Sequence, residues 1–184
     1  MNRNIEHRGM LKPQKIGTSQ LTLMAIMIAA RIILSFIPSL NVNNFIEVGF
    51  GFVGTAFSGI LFGPIYALIV SVINDLITFF LTGGGIFFPG FTISAAVGGW
   101  IYGQLLWRKP INWKRIFVAV LVVTLIVNIG MNSIWIKMLF GQAWMVFMPL
   151  RIGKNLITLP LNTLILTVLF KNPSIQKLIE KYQF

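Results

Sequence analysis

The sequence predicts an all-α integral membrane protein: one bundle of six transmembrane helices with both termini on the cytoplasmic side. Three observations lead there. The 184 residues are 56% hydrophobic and 10% charged, with a mean hydropathy of +0.83, a composition foreign to soluble domains of this size. Long apolar stretches follow one another with short breaks. The basic residues gather in alternate connections rather than being spread along the chain.

The elements follow in order. The first span covers about residues 20–37 and ends at Pro38. The second, about 45–63, is glycine-rich and weaker in hydropathy. The third, about 65–82, is opened by Pro64 and stopped by Gly83-Gly84-Gly85. The fourth, fifth and sixth cover about 89–107, 115–136 and 147–170, the last ending before Asn172-Pro173. Each approaches the ~20 residues needed to cross ~30 Å of hydrocarbon. The whole chain, 1–184, reads as a single transmembrane domain, with a basic N-terminal arm at 1–18 and a basic tail at 171–184. The first span carries no small-residue cleavage pattern after it, so no cleavable signal peptide is expected.

Orientation comes from the charges. Arg3, Arg8, Lys12 and Lys15 lie in the N-terminal arm, Arg108, Lys109, Lys114 and Arg115 in the 4–5 connection, and Lys171, Lys177 and Lys181 in the tail. The alternate connections hold only Lys137. This is the basic excess of a cytoplasmic face, and it puts both termini of a multi-pass chain in the cytoplasm. It also accounts for the net charge of +11 without nucleic acid as a partner.

Several function classes are excluded. There is no cysteine, so neither disulfides nor thiolate metal sites form, and the single histidine, His7, lies in the arm. That removes Ser–His catalysis and histidine metal centres. No GxxxxGK[ST] phosphate loop is present, and no metal or cofactor is expected.

Five charged residues fall within the apolar spans: Arg31, Glu47, Asp75, Arg151 and Lys154. Charge in hydrocarbon is costly and is kept for binding or ion handling. With the termini inside, all five lie toward the outer side. Ser71, Asp75, Thr78 and Thr82 share one helical face, as do Arg151, Lys154, Asn155, Thr158 and Asn162, and Asn128 and Asn132 are four apart. Facing one another, these stripes make an outward polar pocket for a small charged solute. Internal ion pairs, Arg31 with Asp75 or Arg151 with Glu47, are the alternative use of the same charges. The first outer loop adds Asn41, Asn43 and Asn44. The second adds Phe87, Phe88 and Phe91 beside Gly83-Gly84-Gly85, a glycine-hinged aromatic lid. Small residues four apart, Ala25/Ala29 in span 1 and Ala95/Gly99/Gly103 in span 4, permit close helix approach.

On Ala25/Ala29, on Phe88-Pro89-Gly90-Phe91-Thr92-Ile93-Ser94-Ala95 and on Arg151-Ile152-Gly153-Lys154-Asn155-Leu156-Ile157-Thr158-Leu159-Pro160, the chain resembles a known family. This is the substrate-binding S components of energy-coupling factor (ECF) vitamin transporters, and within them the folate-specific branch. The resemblance implies a transport subunit rather than an enzyme. It would bind folate from outside with high affinity and associate with a membrane coupling protein and two cytoplasmic ATPase subunits. It would then tip over in the bilayer to release its cargo, with ATP bound only by the partners. It implies that Ala25 and Ala29 meet the coupling protein. For folate, Asp75 or Glu47 would accept from the pterin amino edge, completed by Asn41, Asn43, Asn44 and Asn155. Phe87, Phe88 and Phe91 would stack on the rings, and Arg31, Arg151 or Lys154 would hold the carboxylates. The same scaffold carrying riboflavin or a pyrimidine, an intramembrane enzyme, and a passive channel are the rival readings.

Overall fold

The computed structural model describes residues 17–36, 40–43, 46–83, 86–141 and 144–183, with the backbone alone at 40–43, 46–48 and 144–147. In chain order the elements are α1 (Thr18–Ser35), β1 (Leu40–Asn43), β2 (Ile46–Val48), α2 (Gly51–Thr82) and α3 (Pro89–Leu106). Then come α4 (Trp113–Val123), a π-helical segment (Thr124–Met131), α5 (Asn132–Phe140), α6 (Trp144–Lys171) and α7 (Pro173–Tyr182). Thr18–Ser35, Gly51–Thr82, Trp113–Phe140 and Met148–Lys171 are each long and apolar enough to cross a membrane.

The second and third expected spans occur within α2, which is one helix by hydrogen bonding but two by direction. Gly63 has φ 75°, ψ −178°, a conformation that side chains oppose, and Pro64 follows it. Arg31 on α1 shows how sharply the chain turns. One guanidinium donates to Ser71 Oγ at 3.2 Å and to Thr55 Oγ1 at 3.0 Å. In a straight helix those hydroxyls would stand about 24 Å apart. They lie eight residues either side of Gly63, so the arms 51–62 and 64–82 run back along each other. Pro64 has no N–H for the carbonyl of Ile60, four residues earlier. Gln183 supplies the donor instead: its Nε2 lies 2.7 Å from that oxygen.

α3 runs antiparallel to the second arm, and glycine permits the fit. A Cβ on Gly99 would lie 2.6 Å from the Ala67 carbonyl oxygen, and one on Gly103 would lie 2.4 Å from Pro64 Cα. The small-residue stripe of this helix is thus internal packing. Farther from the reversal, Thr92 Oγ1 donates to Asp75 Oδ2 at 2.8 Å. α2 ends at Gly83, φ 63°, whose N–H returns to the Phe79 carbonyl. The apolar core gathers on Ile60, Phe62, Tyr102, Ile116, Leu166 and Phe170. Leu21, Ile26 and Ile33 on α1 and Leu156, Ile157, Leu164 and Val168 on α6 point outward, the pattern of helices solvated by lipid.

One expectation needs correcting, and two elements add to what was expected. β1 and β2 pair as an antiparallel ribbon with Leu40 opposite Val48 and Asn41 opposite Glu47. Glu47 is therefore on a strand, not in the first turn of the second span, which begins at Gly51. Val42, Ile46 and Val48 are β-branched and favour a pleated backbone, and Asn41 and Glu47 alternate with them. The fifth span extends to Phe140 through the π-helical segment. The tail carries a helix, α7, capped by Asn172, whose side chain accepts from Ser174 N at 2.9 Å, with Pro173 at its first position.

The Gly63 reversal, Trp107 and α7 mark one end of the bundle. Trp107 lies against Gly63, and Arg108 stacks 4.6 Å above its ring. Lys109, Lys114, Arg115, Lys171, Lys177 and Lys181 adjoin the same end by chain position. The ribbon and the second outer loop mark the opposite end.

Candidate functional site

Between the arms of α2, α3, the π-helical segment and α6 lies a cavity of about 290 Å³. Its apolar wall is Phe52, Phe91, Ala95, Gly98, Val120, Val123 and Val127. Its polar wall is Thr55, Asp75, Ser94, Tyr102, Thr124, Asn128, Asn132 and Asn162. Among these lining residues Asp75 alone is charged. A carboxylate accepts only, whereas hydroxyls and amides both give and accept. The cavity thus suits a partly apolar solute with hydrogen-bond donors, which a carboxylate holds through charge-assisted bonds. Asn132 Oδ1, buried and without a protein partner, adds acceptor capacity.

The rim beside α3 is aromatic. Trp135 Nε1 donates to buried Ser94 Oγ at 2.9 Å. Its ring lies 5.7 Å from Phe88, which lies 6.0 Å from Phe91. These rings join α5 to the start of α3, where Pro89 occupies the first helical position.

The structure distributes the sequence-predicted residues unevenly. Asp75 and Phe91 line the cavity, and Phe88 touches Phe91 at its rim. Phe87 turns elsewhere, into an exposed cluster with Phe79 at 5.2 Å and Phe80 at 6.4 Å. Arg31 is buried as a brace between α1 and both arms of α2, its stem packed on Gly54. It bonds the cavity-lining Thr55 and stands within electrostatic reach of the cavity's Asp75. Arg151 donates from Nη2 to the Asn128 carbonyl at 2.9 Å. Asn155, buried, donates to the Arg151 carbonyl at 2.8 Å. Lys154 is half-buried on α6. Asn41, Asn43 and Glu47 stand on the ribbon, where the backbone alone is described, and Asn44 lies outside the described residues. Ala25 and Ala29 are exposed on α1.

Other lining residues were absent from the predicted set. Asn128, Asn132 and Asn162 were legible as members of polar stripes. Thr55, Ser94, Thr124 and Tyr102 were not, because single hydroxyls in apolar helices more often bond their own backbone.

An internal polar cavity inside lipid-facing helices defines a class: helical membrane proteins that hold a small solute within the bundle. The family model for the ECF transporter substrate-specific component matches residues 19–170. The chain belongs to that family of transporter components, which carries no enzyme activity of its own. Among curated relatives, the folate transporter FolT of Clostridium novyi (strain NT) is 38% identical over 143 residues, 78% of this chain and 83% of that protein. The folate transporter FolT of Leuconostoc mesenteroides is 33% identical over 174 residues, 91% of this chain and 92% of that one. Among solved structures, FolT bound with folic acid superposes with a TM-score of 0.74 at 29% identity, covering 81% of this chain and 89% of that chain. The S component for biotin from an ECF-type ABC transporter shares the fold, with a TM-score of 0.63 at 21% identity over 90% and 96% of the two chains.

Proposed function

We propose that this chain is the folate-binding subunit of an ECF-type importer. The observation that carries the reading is the cavity's lone carboxylate, Asp75, set among neutral hydroxyls and amides. A pterin presents adjacent N–H donors along one edge, which Asp75 is suited to accept. Phe91 and Phe88 offer faces for the ring system. Ser94, Asn128, Asn132 and Asn162 match the remaining ring heteroatoms. As the family resemblance implies, Asn41, Asn43, Asn44 and Glu47 of the first outer loop complete the pterin recognition and Lys154 attracts the glutamate carboxylates, while Phe87, turned toward Phe79 and Phe80, is left out of the site. The similarity to proteins named folate transporters supports this choice over riboflavin or a pyrimidine.

The rest of the cycle follows from the family. The basic end faces the cytoplasm, so the site opens outward, in the cell membrane of a prokaryote. The subunit works with a membrane coupling protein and two ATPase subunits, and Ala25 and Ala29, small and exposed on α1, receive the coupling protein. ATP acts on the partners alone, and the loaded subunit tips in the bilayer to release folate.

The decisive experiment titrates the purified, detergent-solubilised protein with folate and riboflavin while following tryptophan emission, since Trp135 adjoins the site. Folate should quench and riboflavin should not. Quenching by riboflavin alone would overturn the folate assignment.

A further inference from the structure

Between α4 and α5 the helix widens to a π form over Thr124–Met131. Such segments are rare, usually a single turn, and frequent at functional sites. This one has a geometric effect on the cavity wall. In an α-helix, residues four apart drift by about 40° around the axis, so Val120, Thr124, Asn128 and Asn132 would fan over about 120°. A turn closed by i→i+5 bonds is wider than four residues and drifts the other way. The π segment cancels the drift, and all four residues line the cavity. A return to α geometry would rotate the Asn128 and Asn132 amides relative to Val120 and Thr124 and spread the four positions over a wider arc than the wall they now share.

Something must hold the wider form, and Arg151 is placed to do so. Its Nη2 donates to the backbone carbonyl of Asn128, in the middle of the segment, at 2.9 Å. Its own carbonyl accepts from buried Asn155 at 2.8 Å, which steadies the turn of α6 from which it projects. Arg151 is not among the residues lining the cavity.

We propose that Arg151 is a positioning residue: its guanidinium, bound to the Asn128 carbonyl, holds Thr124–Met131 in the π form and so keeps the Asn128 and Asn132 amides turned into the ligand cavity. The ligand half of the test rests on the folate reading; the backbone half does not. Hydrogen exchange on ligand-free protein should show faster exchange in Arg151→Gln than in wild type, confined to the amides of residues 124–133. Unchanged protection there overturns the proposal whatever the protein binds, and so does acceleration spread through the whole bundle. Affinity is then compared for folate and for pteroate, the same ring system without glutamate. Arg151→Gln should weaken both by one common factor of about tenfold or more. Combined with Asn132→Ala, it should cost less than the product of the two single losses. A loss seen with folate alone would mean that the guanidinium holds the glutamate carboxylates, and would overturn the proposal. If wild type binds neither compound, the folate reading fails while the exchange experiment still decides the role of Arg151.

Discussion

Asp75 is the one charge among the residues that line the cavity, and Arg31 stands within its electrostatic reach. Asp75→Asn keeps the shape and the Thr92 contact but replaces one acceptor oxygen with a donor. Folate affinity should fall about ten- to a hundredfold, read by tryptophan quenching, with thermal stability little changed. Arg31 should behave oppositely. Arg31→Met keeps the stem packed on Gly54 but deletes the bonds to Thr55 and Ser71. The melting temperature in detergent should drop by several degrees, with a smaller loss of affinity than for Asp75→Asn. The sequence placed both residues at one level of the membrane, because helical rise converts position into depth. It did not tell which way each side chain turns. That depends on the gap at Gly54 and on two hydroxyls brought together only by the fold of α2.

At the scale of elements, the six spans were legible from apolar length and from Gly and Pro. The strand ribbon and α7 were legible in principle. Alternation around Asn43-Asn44 marks a hairpin, and Asn172-Pro173 followed by Ile175, Leu178, Ile179 and Tyr182 marks a capped amphipathic helix. Both were hidden by proximity to stronger hydropathy signals. The π-helical segment, packed against both α3 and α6, had no local signature in the sequence. Packing also sets the next expectations. Gly103→Ala drives a methyl into Pro64 Cα and should destabilise the protein by about 1–3 kcal/mol, read as a lower melting temperature. Gln183→Ala leaves the Ile60 carbonyl without its donor. It should lower the melting temperature as well, although Gln183 is not among the residues that line the cavity.

At the scale of the whole molecule, Arg108, Lys109, Lys114, Arg115, Lys171, Lys177 and Lys181 adjoin the reversal end by chain position and the cavity's aromatic rim lies toward the other. If the basic end is cytoplasmic, cysteines introduced near Lys109 should be labelled by impermeant thiol reagents only after the cells are opened. Ala25→Trp with Ala29→Trp should leave folate binding by the purified subunit intact yet abolish uptake in vesicles containing the coupling protein and ATPases. Equal uptake by the double variant would remove that face from the coupling step.

The turn at Gly63 also bears on how the bundle meets its surroundings. Leu61, Phe62, Gly63 and Pro64 are all buried, so two spans are joined without an exposed loop. The carbonyl that the proline orphans is matched from within the same chain. Most membrane hairpins carry a polar connector that anchors them at the water boundary, because dragging unbonded peptide groups into oil is costly. Here the connector residues are buried, and one such group, the Ile60 carbonyl, is already bonded. A helical pair joined in this way can change its depth or inclination without carrying an exposed polar loop along with it.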